Sequence, residues 1–92
     1  MTDQAPDSKN RSATYIVSGG ASRLGAAFVR RISKAGNNVV IGDLDESAGA
    51  KIAGEFDESV MFCRCDVRRD EDLAGLVQCA SDVFGGLDGI VN

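Results

Sequence analysis

Three glycines, Gly19, Gly20 and Gly25, stand between an apolar run and an amphipathic one in the stretch YIVSGGASRLGAAFVRRI, residues 15–32. A helix would not tolerate the adjacent pair, because each glycine costs about 1 kcal/mol relative to alanine. A plain hairpin would not lead into a helix. The chain must turn sharply here and present bare backbone.

The flanking segments say what the turn connects. ATYIVSG is short, rich in β-formers and nearly continuous in apolar character, which suits a strand buried on both faces. After the turn, Leu24, Phe28, Ile32 and Ala35 fall at i, i+4, i+8 and i+11, one stripe of a helix. Arg30, Arg31 and Lys34 populate its last turns, and Gly36 can close it in the left-handed conformation.

The alternation then repeats. NNVVIGDLD predicts a second buried strand around Val39, Val40 and Ile41, ending at Gly42 and Asp43. ESAGAKIAGEF predicts a weaker helix, with Ala48, Ile52 and Phe56 on one face and Gly49 and Gly54 as costs. VMFCRCDV reads as a third strand. DEDLAGLVQCASDVFGG places Asp70, Glu71 and Asp72 in a first helical turn and Leu73, Leu76, Val77, Ala80 and Phe84 on one face. Gly85 and Gly86 end that helix, and LDGIVN begins a fourth strand.

Strands this apolar, separated by helices, require parallel pairing through right-handed crossovers. The fold class is therefore α/β: a Rossmann-like doubly wound parallel sheet, incomplete, with strands 1–4, three crossover helices and spatial order 3-2-1-4. The domain occupies residues 13–92, after a flexible polar tail over residues 1–12. One small domain is what 92 residues allow.

A strand, a glycine turn and a helix together make a pyrophosphate site. The free amides at a helix N-terminus carry partial positive charge, and glycine lets phosphates approach them. Asp43 supports the reading, because a carboxylate at the end of the second strand is placed to hold ribose hydroxyls.

At these residues the sequence resembles the short-chain dehydrogenases/reductases, whose fingerprint is T-G-x-x-x-G-x-G. SGGASRLG matches with Ser18 for the Thr and with Gly19 and Gly25 in place, while Arg23 stands where the middle glycine belongs. Asp43 matches the acid that selects NAD, Asp66 and Val67 match the pair that holds adenine, and Asn92 matches the first Asn of N-N-A-G. The resemblance implies that Ser22 and the Leu24 amide contact the phosphates. It implies that Asp43 and Leu44 bind the adenosine ribose, that Asp66 and the Val67 amide flank the adenine, and that Asn92 lies near the nicotinamide-side ribose. Each has a plainer alternative: Ser22 as a helix cap, Val67 as a core residue. An arginine at position 23 could aim its guanidinium at the phosphates or lie in solvent.

The implied cofactor is NAD rather than NADP, and the implied partner a small alcohol or carbonyl substrate. Family members move the substrate proton with the Tyr of a Y-x-x-x-K motif. Here the one tyrosine, Tyr15, lies in the first strand and is followed four positions later by Gly19. The resemblance implies that the catalytic half, with the helices through which such proteins form homo-oligomers, lies beyond Asn92. The 92-residue chain by itself is then expected to be catalytically incompetent, the first portion of a longer oxidoreductase. The alternative is a non-catalytic nucleotide-binding or interaction module working at this length. A methyltransferase on the same sheet would prefer G-x-G-x-G after the first strand.

The net charge of −4 argues against nucleic acid as a partner, and Arg30, Arg31, Arg68 and Arg69 read as solvated helix-end charges. No apolar stretch approaches the roughly 20 residues that span a bilayer, and the first twelve residues lack the apolar core of a secretory signal. Cys63, Cys65 and Cys79, with no histidine in the chain, suit buried packing thiols in a reducing cytoplasm better than a zinc site.

Overall fold

Val39, Val40 and Ile41 are fully buried at the centre of a parallel sheet in the computed structural model, which describes residues 12–92. The elements run β1 (Thr14–Ser18), α1 (Arg23–Lys34), β2 (Asn38–Asp43), α2 (Glu46–Ala53), β3 (Val60–Arg64), α3 (Asp70–Phe84) and β4 (Gly89–Val91). The strand order is β3-β2-β1-β4, every pair parallel, as the alternation of elements predicts. The expected polar tail falls, apart from the exposed Ser12, outside the described residues.

Register explains how two cores form. Ile16 pairs with Val40 and Ile90, and Val17 with Ile41 and Val91. Because successive side chains point to opposite faces, Val17, Val39 and Ile41 pack with Ala26 and Val29 of α1 and Ile52 of α2. On the other face Ile16 and Val40 pack with Leu76 and Ala80 of α3. Burying each such Val, Ile or Leu is worth about 1.5–3 kcal/mol. Thr14 is buried in the sheet; its amide donates to Asp88 Oδ2 at 2.8 Å, and the Asp88 amide returns a bond to its carbonyl, fastening β4 to β1.

The faces of two helices differ from the expected stripes. In α1 the buried residues are Gly25, Ala26 and Val29, while Leu24 is 70% exposed and Phe28 41%. Small residues set the sheet-facing side near its start because the helix begins pressed against the glycine turn, leaving Leu24 and Phe28 outside, while Ile32 of that stripe packs against the core. In α3, Leu76 and Ala80 are buried, whereas Leu73 and Val77 of the same expected face are 38% and 43% exposed. Helix α2 stops at Ala53, so Phe56 packs against the core from the following turn. Gly49 has a reason beyond helix propensity: a Cβ there would overlap the Phe62 ring.

Helix ends follow the sequence. Gly36 (φ +91°) and Gly85 (φ +83°) adopt the left-handed conformation after α1 and α3. The expected solvated arginines are partly paired: Arg30 grips Glu55 with Nε and Nη2, both at 2.9 Å, linking α1 to the turn after α2. Of the three expected packing thiols, Cys65 is buried, but Cys63 and Cys79 are half-buried. Among the described residues no helix is long and apolar enough to cross a membrane.

Candidate functional site

β1 ends at Ser18, and the chain reverses through Gly19, whose φ of +71° favours glycine. The Gly19 amide donates to the Gly42 carbonyl at 2.7 Å, so the turn is anchored to the end of β2. Gly20 lies on Ile41, where a Cβ would approach the side chain to 2.7 Å. Gly25 is pressed against the turn itself; a Cβ there would run into the Gly19 carbonyl. These contacts explain the glycine spacing: the first glycine turns the chain, and the last lets the helix begin directly against the turn.

Ser22 is the N-cap of α1. Its Oγ accepts from the Gly25 amide at 3.0 Å and donates to the Gly19 carbonyl at 2.7 Å. The hydroxyl proton is thus spent inside the turn, so the capping role is the one the geometry carries. The amides of Arg23 and Leu24, in the first helical turn, have no intrahelical acceptor. Arg23 is exposed and takes the place of a glycine without a positive φ.

Asp43, at the end of β2, reaches back to the turn. Its Oδ2 accepts from the Ala21 amide and its Oδ1 from the Asp45 amide, each at 3.0 Å. Each oxygen keeps a lone pair for a further donor. Leu44 beside it is 47% exposed.

Asp66, past the end of β3, is held by a residue the sequence reading set aside. Arg68 donates to it from its backbone amide at 3.0 Å, from Nε at 2.9 Å and from Nη2 at 2.8 Å. The guanidinium fork, followed by that backbone amide, holds the Asp66 carboxyl well below the usual carboxylate range. The i, i+2 spacing of Asp66 and Arg68 was the available signal; the i, i+2 ion pair forms because a turn, not a helix, joins them. Val67 is 46% exposed and is not a core residue.

These residues line two hollows that share Gly19. One, of about 180 Å³, is bounded by Gly19, Gly42, Asp43, Leu44, Asp66, Val67 and Arg68, with Cys65 at its floor. The other, of about 110 Å³, lies across β1 and is bounded by Ser18, Gly19, Ser22, Leu24, Gly25 and Asn92 among others. Ser18 Oγ donates to Asn92 Oδ1 at 3.3 Å. The two hollows lie at the carboxyl ends of the strands, where the order switches between β1 and β4, the place at which open α/β sheets bind ligands. A larger groove of about 450 Å³ runs along the outer face of α1 from Leu24 to Lys34, sharing Leu24 and Phe28 with the smaller hollow.

Known proteins share both the sequence and the shape. The chain is 40% identical over 82 residues to a 3-hydroxyacyl-CoA dehydrogenase type-2 of Drosophila melanogaster, covering 89% of this chain and 32% of that protein. It is 44% identical over 77 residues to an L-fucose dehydrogenase of Bos taurus, covering 84% of this chain and 28% of that one. It spans about a third of the length of such relatives. A 3-ketoacyl-(acyl-carrier-protein) reductase of Brucella melitensis, complexed with NADH, superposes with TM-score 0.83 at 26% identity, over 87% of this chain and 33% of that one. The family profile described as short chain dehydrogenase matches residues 13–92. With that profile matching nearly the whole chain and the parallel sheet superposing on a solved member's fold, the chain belongs to the short-chain dehydrogenases.

Proposed function

We propose that this chain is the NAD-binding portion of an oxidoreductase acting on an alcohol or carbonyl. The observation that carries the reading is the meeting of the two hollows at Gly19, with Asp43 bordering one and Asn92 the other. The glycine turn fits a dinucleotide: Gly19 has open space where a Cβ would project, and the first-turn amides of α1 supply unpaired donors. Bound there, the nicotinamide would accept or deliver the hydride.

Each residue has a separate task. The Arg23 and Leu24 amides face the diphosphate, with the Arg23 guanidinium free to add charge. The Asp43 carboxylate accepts from the adenosine ribose hydroxyls with its remaining lone pairs, while Leu44 covers the sugar. Val67 and the Asp66–Arg68 pair border the adenine, and Asn92 lies on the nicotinamide side. Ser22 acts through the turn it caps. Like charge between Asp43 and a 2′-phosphate favours NAD over NADP.

Proton transfer to the substrate is not supplied by these 92 residues. Tyr15 packs beside Gly89, where a Cβ would come within 2.9 Å of its ring, at the amino-terminal part of β1. The reading extends to a longer protein, as relatives about three times this length suggest, whose further chain supplies the catalytic residues; homo-oligomer contacts and a cytoplasmic location belong to the same proposal.

Calorimetric titration of NAD and NADP into the chain tests this. NAD is expected to bind more tightly, with the preference reduced in Asp43→Asn. Equal or reversed affinities would remove Asp43 from the ribose role; binding of neither would overturn the reading.

A further inference from the structure

We propose that Cys63 and Cys79 are a redox pair that closes to a reversible intramolecular disulfide, stapling the sheet-edge strand β3 to helix α3. The inference is independent of the dinucleotide reading. The two Sγ atoms lie 2.7 Å apart across 16 residues of chain. A disulfide bond is about 2.05 Å long, so the two sulfurs have less than about 1 Å left to close. Both residues are half-buried and therefore reachable by a small oxidant, while Cys65, on the same face of the sheet, is 1% exposed and shielded. Cys79 Sγ also lies 3.5 Å from Met61 Sδ, which adds a third sulfur beside the pair.

Hydrogen peroxide is the oxidant the site admits. The Cys79 thiolate attacks one peroxide oxygen, the O–O bond breaks, and hydroxide leaves to take up a proton as water. The resulting Cys79 sulfenic acid is attacked by the Cys63 sulfur; the S–S bond forms, the S–O bond breaks, and a second water leaves with the Cys63 proton. Two thiols lose two electrons and the peroxide gains them.

Burial, then the hydrogen bond and the charge of Cys79, with a smaller effect of Cys65, push the Cys63 thiol up to about 12. The pairing itself is set by the distance between the two sulfurs, and the same bond forms whichever of them peroxide oxidises first.

The staple would sit close to the candidate site. Cys63 pairs with Gly42 in the β2–β3 register, one residue before Asp43 pairs with Arg64. The bond would fix the base of the segment carrying Asp66 and Val67. In reducing compartments such pairs act as transient, redox-sensing bonds.

Trypsin makes the test unambiguous, because cleavage at Lys51, Arg64, Arg68 and Arg69 leaves Cys63, Cys65 and Cys79 on three separate peptides, 52–64, 65–68 and 70–92. The purified chain is treated with a small excess of peroxide, alkylated under denaturing conditions and digested without reductant. The expected result is a cross-linked 52–64/70–92 pair, an intact monomer lighter by two hydrogens, and Cys65 recovered as the alkylated thiol. Dithiothreitol should restore both thiols. Oxidation should raise Tm by roughly 10 °C, from the loss of unfolded-state freedom, and Cys79→Ser should abolish the shift. Recovery of all three alkylated thiols, a link through Cys65, a link between chains, or oxygen addition at Cys79 without a cross-link would each overturn the proposal. The peptide map is read on the unaltered chain, so it stands even if the variant fails to fold.

Discussion

The Oδ2 atom of Asp43 accepts a hydrogen bond from the Ala21 amide at 3.0 Å, tying the end of β2 to the glycine turn across 22 residues of chain. The acid that would choose the cofactor also helps hold the turn on which the cofactor's diphosphate would lie.

That double role separates two substitutions. Asp43→Asn keeps one oxygen, which serves the Ala21 or the Asp45 amide but not both, and removes the charge, so it is expected to lower NAD affinity and narrow the preference over NADP while Tm falls by an amount corresponding to about 1 kcal/mol. Asp43→Ala loses both bonds, and Tm should fall about twice as far. Paired titration calorimetry and thermal melts check the distinction. Equal Tm for the two variants would show that the second bond adds nothing to stability.

Gly25→Ala should be among the most damaging single changes in the chain. Its methyl group would overlap the Gly19 carbonyl, which is backbone held by the Gly42 register and cannot swing aside. Overpacking of this kind costs typically 1–3 kcal/mol, and the turn would open. Gly75→Ala, in α3 with open space around it, is the matched control and should be neutral or stabilising by up to about 1 kcal/mol. Urea midpoints of the two variants give the comparison.

Stability should decline at both ends of the pH scale. The Arg30 fork holds the Glu55 carboxyl below its usual range, and the Arg68 fork does the same for Asp66. Groups lowered in the folded state contribute stability above their unfolded values and lose it as pH falls through the folded ones. Melting should therefore weaken below about pH 4, and the effect should shrink in high salt because the pairs are exposed. At the alkaline end the thiol of Cys63, raised to about 12 by burial and by Cys79, contributes below its unfolded value of 9.0. That contribution is lost as pH climbs from there, so Cys63→Ala should flatten the alkaline limb.

β4 is an edge strand three residues long, with Ile90 56% exposed. An open, apolar edge invites pairing with another chain. The 92-residue chain should self-associate in a concentration-dependent way, and Ile90→Lys should shift it toward monomer. Sedimentation velocity over a concentration series measures this; a monomer at every concentration would count against it.

No alcohol should be turned over by the 92-residue chain with NAD, because Tyr15 is packed at Gly89 rather than at the strand ends. Absorbance of the reduced nicotinamide reports the result. Turnover that disappears in Tyr15→Phe would overturn the expectation.

The chain's own letters determined the architecture. Apolar runs too continuous to face water, spaced by helical periods and glycine stops, leave a parallel sheet with right-handed crossovers as the solution, and Gly19, Asp43, Asp66 and Asn92 fall at strand ends by that count alone. Which side of each helix is buried was decided by tertiary packing. Hydrophobicity marked Leu24 and Phe28, yet α1 approaches so closely that the small residues Gly25 and Ala26 meet the turn and the sheet instead. Side-chain partners were likewise beyond periodicity. That Ser22 spends its proton on Gly19 and that Arg68 forks Asp66 depend on the exact path of two turns, while Ala21 meeting Asp43 and Cys63 meeting Cys79 depend on distances between segments brought together by the crossovers. Local pattern sets which elements form, because backbone geometry and burial are periodic along the chain. Contacts between elements follow from how closely they pack, and that closeness is a property of the folded whole.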